Sequence, residues 1–284
     1  MLVVGELRKP IVYGGNTPCV EVCSDSNSLI VDMGSGLRDL GTAKLGRRSN
    51  FNVFLTHLHM DHISGLPFFV PVFMKGTHIT IYHVHKLAPK IIKNLFDGIT
   101  FPLKWGDLDA KIEFKRIEPY EKVQIENISI SPFCLDHPGG SFGYRFEGDN
   151  QSIVVGFDGE FKRQSREELG KDLPYYQNVD LIAFDAQYEP EELVNRFDWG
   201  HCSAPIGIDL AIREGIKKLV LFHHDPWASE VKLDQYFRKS KSYLNTAMQA
   251  EDILWPHQDL PEGPELQMAY DGLEIDLGKK GNKK

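Results

Sequence analysis

Thr56-His57-Leu58-His59-Met60-Asp61-His62 follows directly on the apolar run Phe51-Asn52-Val53-Phe54-Leu55, and the reading of these two neighbouring stretches decides the fold. The apolar run has the length and the aromatic and aliphatic content of a buried strand. The polar run then places four groups able to hold a metal, His57, His59, Asp61 and His62, at that strand's end. A loop leaving a strand can turn His57 and His59 to one side while the next turn carries Asp61 and His62 to a second point, so one segment can serve two cations. Nitrogen and carboxylate donors without thiolate suit zinc, with manganese or iron as the other options.

The bulk composition narrows the class without naming it. With 284 residues, 42% hydrophobic and 25% charged, the chain has ordinary globular composition and enough length for one large core or two small ones. A formal net charge of −8 argues against a protein that holds nucleic acid through an extended basic face. An anionic substrate would have to be drawn by the metals. Cys19, Cys23, Cys134 and Cys202 form no Cys-x-x-Cys pair and read as reduced packing residues. The apolar part of the N-terminus is too short for a signal peptide, and no apolar run approaches a membrane span, so a cytoplasmic protein with no membrane partner is expected.

The His-x-His-x-Asp-His run, preceded by Thr56 and followed by Ile63-Ser64-Gly65-Leu66-Pro67, resembles the signature of the metallo-β-lactamase superfamily of metal-dependent hydrolases. That resemblance implies an α/β fold, a four-layer αβ/βα sandwich of two mixed β-sheets flanked by helices, with a binuclear site at one edge. The run Asp32-Met33-Gly34-Ser35-Gly36 resembles the family's first motif, in which the Asp is a buried structural residue and the glycines let the backbone pass beneath the metal loop. Ser35 can cap a short helix from Gly36 to about Lys44.

Along the chain, 19–23 and 28–32 read as a hairpin joined by the turn Asp25-Ser26-Asn27, and 78–84 as a strand followed by a helix over 86–96. Residues 97–108, with Phe101 and Trp105, form an aromatic connector that could cover the site or a partner subunit. From Lys111 onward short strands follow one another over 112–117, 122–125, 128–133, 143–146 and 152–156, so a second sheet is expected to begin there. Nothing marks a linker, which suggests one domain over 1–284 with pseudo-symmetric halves meeting near residue 110. The segment 271–277 alternates like a closing strand, and the lysine-rich end reads as frayed.

A binuclear site needs donors from other strand ends. His137, after the strand over 128–133, matches the family's third motif, and Asp158, after 152–156, resembles the family's bridging Asp. The last donor comes from Phe222-His223-His224-Asp225-Pro226. His223 is preferred because in the resembled motif the ligand stands three residues before the proline, which leaves His224 beside the site or facing substrate. The implied assignment puts His57, His59 and His137 on one metal and Asp61, His62 and His223 on the other, with Asp158 and a hydroxide bridging. His78, His83 and His85 receive no role.

The stretch between Asp158 and His223 bears on the substrate. Asp185 ends the strand 181–185, and His201 precedes the helix 204–214; the pair resembles the carboxylate and His loops of the phosphodiesterase branch, which includes the tRNA 3′-processing endonuclease and small cyclic-phosphate phosphodiesterases. A His held by a carboxylate is a general acid suited to protonating a departing alkoxide near neutral pH. Catalytic candidates are therefore Asp61, His201 and Asp185. The tRNA enzyme carries a long insertion between the third-motif His and the bridging Asp, whereas only 138–157 separates them here. The expectation is a two-metal phosphodiesterase for a small phosphodiester such as a cyclic nucleotide, with a homodimer suggested by the resemblance, since relatives often dimerise, and with Trp105, Phe142, Trp199 and Trp227 as candidates for stacking on a base. The alternatives are a hydrolase of a thioester, lactone or lactam, and a non-catalytic ligand-binding module on the same fold.

Overall fold

The computed structural model describes residues 12–24, 28–254 and 263–278. The expected turn 25–27, the N-terminal stretch 1–11 and the lysine-rich end 279–284 lie outside the described residues. Two sheets organise the chain. The first runs β1 (Val20–Cys23), β2 (Ser28–Val31), β3 (Asn50–Leu55), β4 (His78–His83) and β5 (Lys111–Arg116) in chain order, with β1 antiparallel to β2 and the rest parallel. The second contains β6 (Val123–Ile125), β7 (Ile128–Leu135), β8 (Ser141–Gly148), β9 (Gln151–Gly156), β10 (Leu181–Asp185), β11 (Lys218–Phe222) and β12 (Glu265–Met268). Its order is the reverse of the chain's, antiparallel from β6 to β9 and parallel from β9 to β12.

Alternation within single strands explains the layers. In β2, Leu29 and Val31 face the space between the sheets with Phe54, Tyr144, Phe157 and Ala183, whereas Ile30 faces the opposite way with Val53, Leu55 and Ile81. In β10, Ala183 joins that inter-sheet core while Ile182 and Phe184 pack outward. Side chains two apart share a face, so each sheet feeds two cores and needs cover on its outer side. Helices α1 (Gly36–Lys44) and α2 (Ala88–Asn94) cover the first sheet through Leu37, Ala88 and Ile92. The second sheet is covered by α3 (Arg166–Leu169), α5 (Ala204–Glu214) and α6 (Glu230–Leu254), through Leu169, Ile208 and Tyr236 among others. The short α4 (Pro190–Leu193) buries none of its residues. The result is the helix, sheet, sheet, helix order of the metallo-β-lactamase fold.

Three expectations need correction. Lys111–Arg116 does not open the second sheet: it pairs with β4 as the first sheet's parallel edge, and the second sheet begins at β6. Segment 271–277 is no strand. Its Leu273, Ile275 and Leu277 do pack on Leu181, Val220 and Ala269, so the alternation reports a buried face without a ladder, and β12 forms earlier, beside β11. Ser35 sits at the N-cap of α1 but makes no side-chain cap; its hydroxyl accepts from the Thr17 amide at 2.8 Å and donates to Asn16.

The connector 97–108 folds back on the first core. Trp105 stacks on Phe114 at 5.7 Å and meets Phe96 edge-on, which removes it from the stacking candidates near the site. Among the described residues no helix is long and apolar enough to cross a membrane.

Candidate metal centre

Every expected donor lies at the end of a strand or in the loop that leaves it, all at the same edge of the sandwich. The loop after β3 carries His57 to His62 and passes hard against the turn after β2. A Cβ on Gly65 would stand 1.9 Å from the Gly34 carbonyl oxygen, so only glycine allows this approach. The two sheets are pinned here as well. Tyr144 of β8 donates its hydroxyl to the Leu55 carbonyl at 2.6 Å, and the Phe142 amide donates to the Thr56 carbonyl at 3.1 Å.

Asp32 is fully buried beneath this loop. Its carboxylate accepts from the Thr56 amide at 2.8 Å and hydroxyl at 2.7 Å and bonds His62 Nδ1 at 2.7 Å, so it fixes the loop without joining the cluster above it. Asp32, Asp158 and His223 have φ of 63°, 58° and 62°. Left-handed backbone costs a side-chain-bearing residue roughly 1–2 kcal/mol. The strain coincides with the strand ends that aim carboxylates and imidazoles inward.

The seven expected donors converge. His57, His59 and His137 form one group of potential donor atoms, each within 4.8 Å of the others, and Asp61, His62 and His223 form a second. Asp158 lies between them: its Oδ1 is 4.0 Å from both His57 Nε2 and His137 Nε2, and its Oδ2 is 3.2 Å from both His62 Nε2 and His223 Nε2. Of the adjacent pair, His223 joins the cluster, whereas His224 turns its Nε2 to the Ala269 carbonyl at 2.8 Å. The candidate catalytic pair is also in place. Asp185 Oδ2 is 2.9 Å from His201 Nδ1 and accepts the Asp158 amide at 3.0 Å, while Oδ1 accepts the amides of Cys202 and Gln187.

The donor set fits divalent cations on its own chemistry. His57 Nε2 is buried without a hydrogen-bond partner, an expensive condition unless something else is bound there. Burial pushes the His57 imidazole down to about 2, and burial also lowers His137, so both rings are held neutral, the form that binds a cation. Burial would raise Asp158, but the imidazoles of His223 and His62 outweigh it and hold the carboxyl well below its ordinary range, ionised.

Gln187 escaped the sequence reading. Its Oε1 is 2.9 Å from His223 Nδ1 and its Nε2 donates to the Tyr188 hydroxyl at 3.0 Å, so the amide orients the His223 ring. A single Gln after Asp185-Ala186 carries no motif; its closeness to a strand end was the one available hint. His85 lies nearer the site than expected, edge-on to Phe142 at 5.3 Å and beside Gly140 of the His137 loop.

Residues 43–224 match the family model described as the β-lactamase superfamily domain, which is more than half of the chain. The chain belongs to the β-lactamase superfamily. It is a metal-dependent hydrolase of the metallo-β-lactamase kind. A ribonuclease Z of Archaeoglobus fulgidus is 22% identical over 290 residues, spanning 84% of this chain and 91% of that protein. Among solved structures, the metallo-β-lactamase fold protein YhfI of Bacillus subtilis aligns over 92% of this chain and 94% of its own, with TM-score 0.64 and 17% identity. A diphosphatase of the PhnP family aligns over 93% and 85%, with TM-score 0.61 and 17% identity.

Proposed function

We propose that this superfamily member is a two-metal phosphodiesterase acting on a small phosphodiester, with cyclic nucleotides as the first candidates. The observation that carries the reading is His201, bonded to Asp185 at 2.9 Å and standing 3.8 Å from the Asp158 carboxylate. In this reading His57, His59 and His137 hold one cation, Asp61, His62 and His223 the other, and Asp158 both; zinc is the expected metal, with manganese or iron as alternatives. Such a pair supplies Lewis acidity at the phosphoryl oxygens and lowers the pKa of a water.

The remaining work falls to the chain's own side chains. Asp185 is buried and fixed by three backbone amides, so it accepts the His201 Nδ1 proton and holds the ring in one tautomer. In the doubly protonated ring the Nε2–H then delivers its proton to the departing alkoxide and leaves the neutral Nδ1–H ring, a step that a phosphodiester with an alkoxide leaving group demands and an activated ester does not. Asp61, on the half-exposed side of its trio, borders the space in which the substrate would sit.

An RNA substrate is the second reading, favoured by the ribonuclease Z relative. Against it stand the net charge of −8 and the segment between His137 and Asp158, which is taken up by β8, β9 and their tight turn. The test is turnover of bis-p-nitrophenyl phosphate, 2′,3′- and 3′,5′-cyclic nucleotides, a precursor tRNA, a thioester and a lactone by protein of measured zinc or manganese content. Metal-dependent cleavage of the small diesters is expected. Cleavage of the tRNA alone would move the function to RNA, and hydrolysis of thioesters or lactones alone would reject phosphodiester chemistry.

A further inference from the structure

The loop 194–200, between α4 and α5, presents large apolar side chains to solvent: Phe197 is 69% exposed and Trp199 58%. Its backbone is nevertheless held firmly. Glu160 accepts the Asp198 amide at 2.8 Å and the Gly200 amide at 3.3 Å, and the Gly200 carbonyl bonds His137 Nδ1 at 2.9 Å. Gly200 has φ of 85°, and a Cβ there would stand 2.2 Å from His137 Nδ1, so the loop is seated directly against the metal centre. These aromatics are held outward on a fixed loop.

Trp199 also continues a wall that starts at His201. Tyr188 meets the His201 ring edge-on at 5.8 Å, the Arg196 guanidinium lies over Tyr188 at 4.4 Å, and the same guanidinium is 5.9 Å from the Trp199 ring. A planar cation beside an indole makes a platform for a planar ring. The surrounding charge selects which planar ligand fits. Arg196 is paired with Glu192 at 3.6 Å and Lys162 with Glu160 and Asp198, while Lys232 also meets Glu192 and Lys239 meets Glu189. These cations are already engaged by carboxylates and offer little to a polyphosphate backbone, whereas a single uncharged base needs none of them.

We propose that Trp199, backed by Arg196 and Tyr188, is the surface on which the substrate's nucleobase stacks, so that the substrate is a phosphodiester carrying a base. This rests on the phosphodiesterase reading above. The test is calorimetric binding of adenosine 5′-monophosphate and of ribose 5-phosphate, which differ by the base, to the metal-loaded protein, measured alongside turnover of bis-p-nitrophenyl phosphate. The protein should bind the nucleotide at least roughly tenfold more tightly than the sugar phosphate. Trp199→Ala should abolish that ratio, and Trp199→Phe should restore most of it. Equal affinities in the unmodified protein overturn the stacking surface even where turnover is intact. Failure of turnover with the ratio preserved overturns the phosphodiesterase reading alone. A Trp199→Ala variant that changes oligomeric state by sedimentation while keeping the ratio assigns the loop to a protein contact and overturns the proposal.

Discussion

The two candidate donor trios face each other across Asp158 but are supported differently. Behind His57 stands the Thr56 hydroxyl at 2.9 Å and behind His137 a backbone carbonyl, both neutral. Behind His62 stands the buried carboxylate of Asp32 and behind His223 the amide of Gln187, and this trio also contains Asp61. Partners of this kind fix ring orientation, and an anionic one raises the basicity of the ring it holds. The difference teaches that two sites built from nearly the same side chains need not be equivalent. The trio around His62 should take up its cation first.

Asp158 is the point at which breaking one trio breaks both. Asp158→Asn should abolish turnover and lower metal content below one ion per chain by mass spectrometry; two retained ions would show that the trios are independent of it. His201→Ala comes next. Turnover of a cyclic nucleotide should fall by about 10²–10⁴-fold with two ions kept. The loss should be much smaller on bis-p-nitrophenyl phosphate, whose leaving group needs no proton, and an equal loss on both substrates would make His201 a structural group.

Smaller changes sharpen the asymmetry. Asp32→Asn should weaken the tighter cation by roughly 10–100-fold in chelator competition, whereas Thr56→Ala, whose hydroxyl touches both His57 and Asp32, should weaken both cations. Gln187→Ala should act on the tighter site alone, toward the lower end of that range, and Gln187→Glu should recover or exceed the original affinity. The smallest effect belongs to Tyr144→Phe, which removes the bond between β8 and the Leu55 carbonyl. It should cost about 1 kcal/mol in chemical denaturation, with metal stoichiometry unchanged.

How much of this was legible follows from where each residue's information resides. The convergence of the candidate donors was readable because an apolar run followed by His, Asp or both is a local pattern, and it recurs after β3, β7, β9 and β11. The assignment of Lys111–Arg116 to the wrong sheet has a different origin: its alternation is the same whichever neighbour it pairs with, so local pattern cannot tell β4 from β6. The same limit applies to Leu273, Ile275 and Leu277, where burial without pairing mimics a strand. Helix α6, which covers the second sheet through Leu233 and Tyr236, went unassigned because its polar majority hides a narrow apolar stripe. Gln187 and the platform of Tyr188, Arg196 and Trp199 depend on contacts between loops that sequence does not order.

The central claim is that Asp158 joins two cations held by separate trios. An anomalous difference map at the zinc edge from zinc-loaded crystals tests it most directly. Two peaks about 3.5–4 Å apart are expected, one touching His57, His59 and His137, the other Asp61, His62 and His223, with Asp158 in contact with both. A single peak, or two peaks with Asp158 turned away from either, would contradict it.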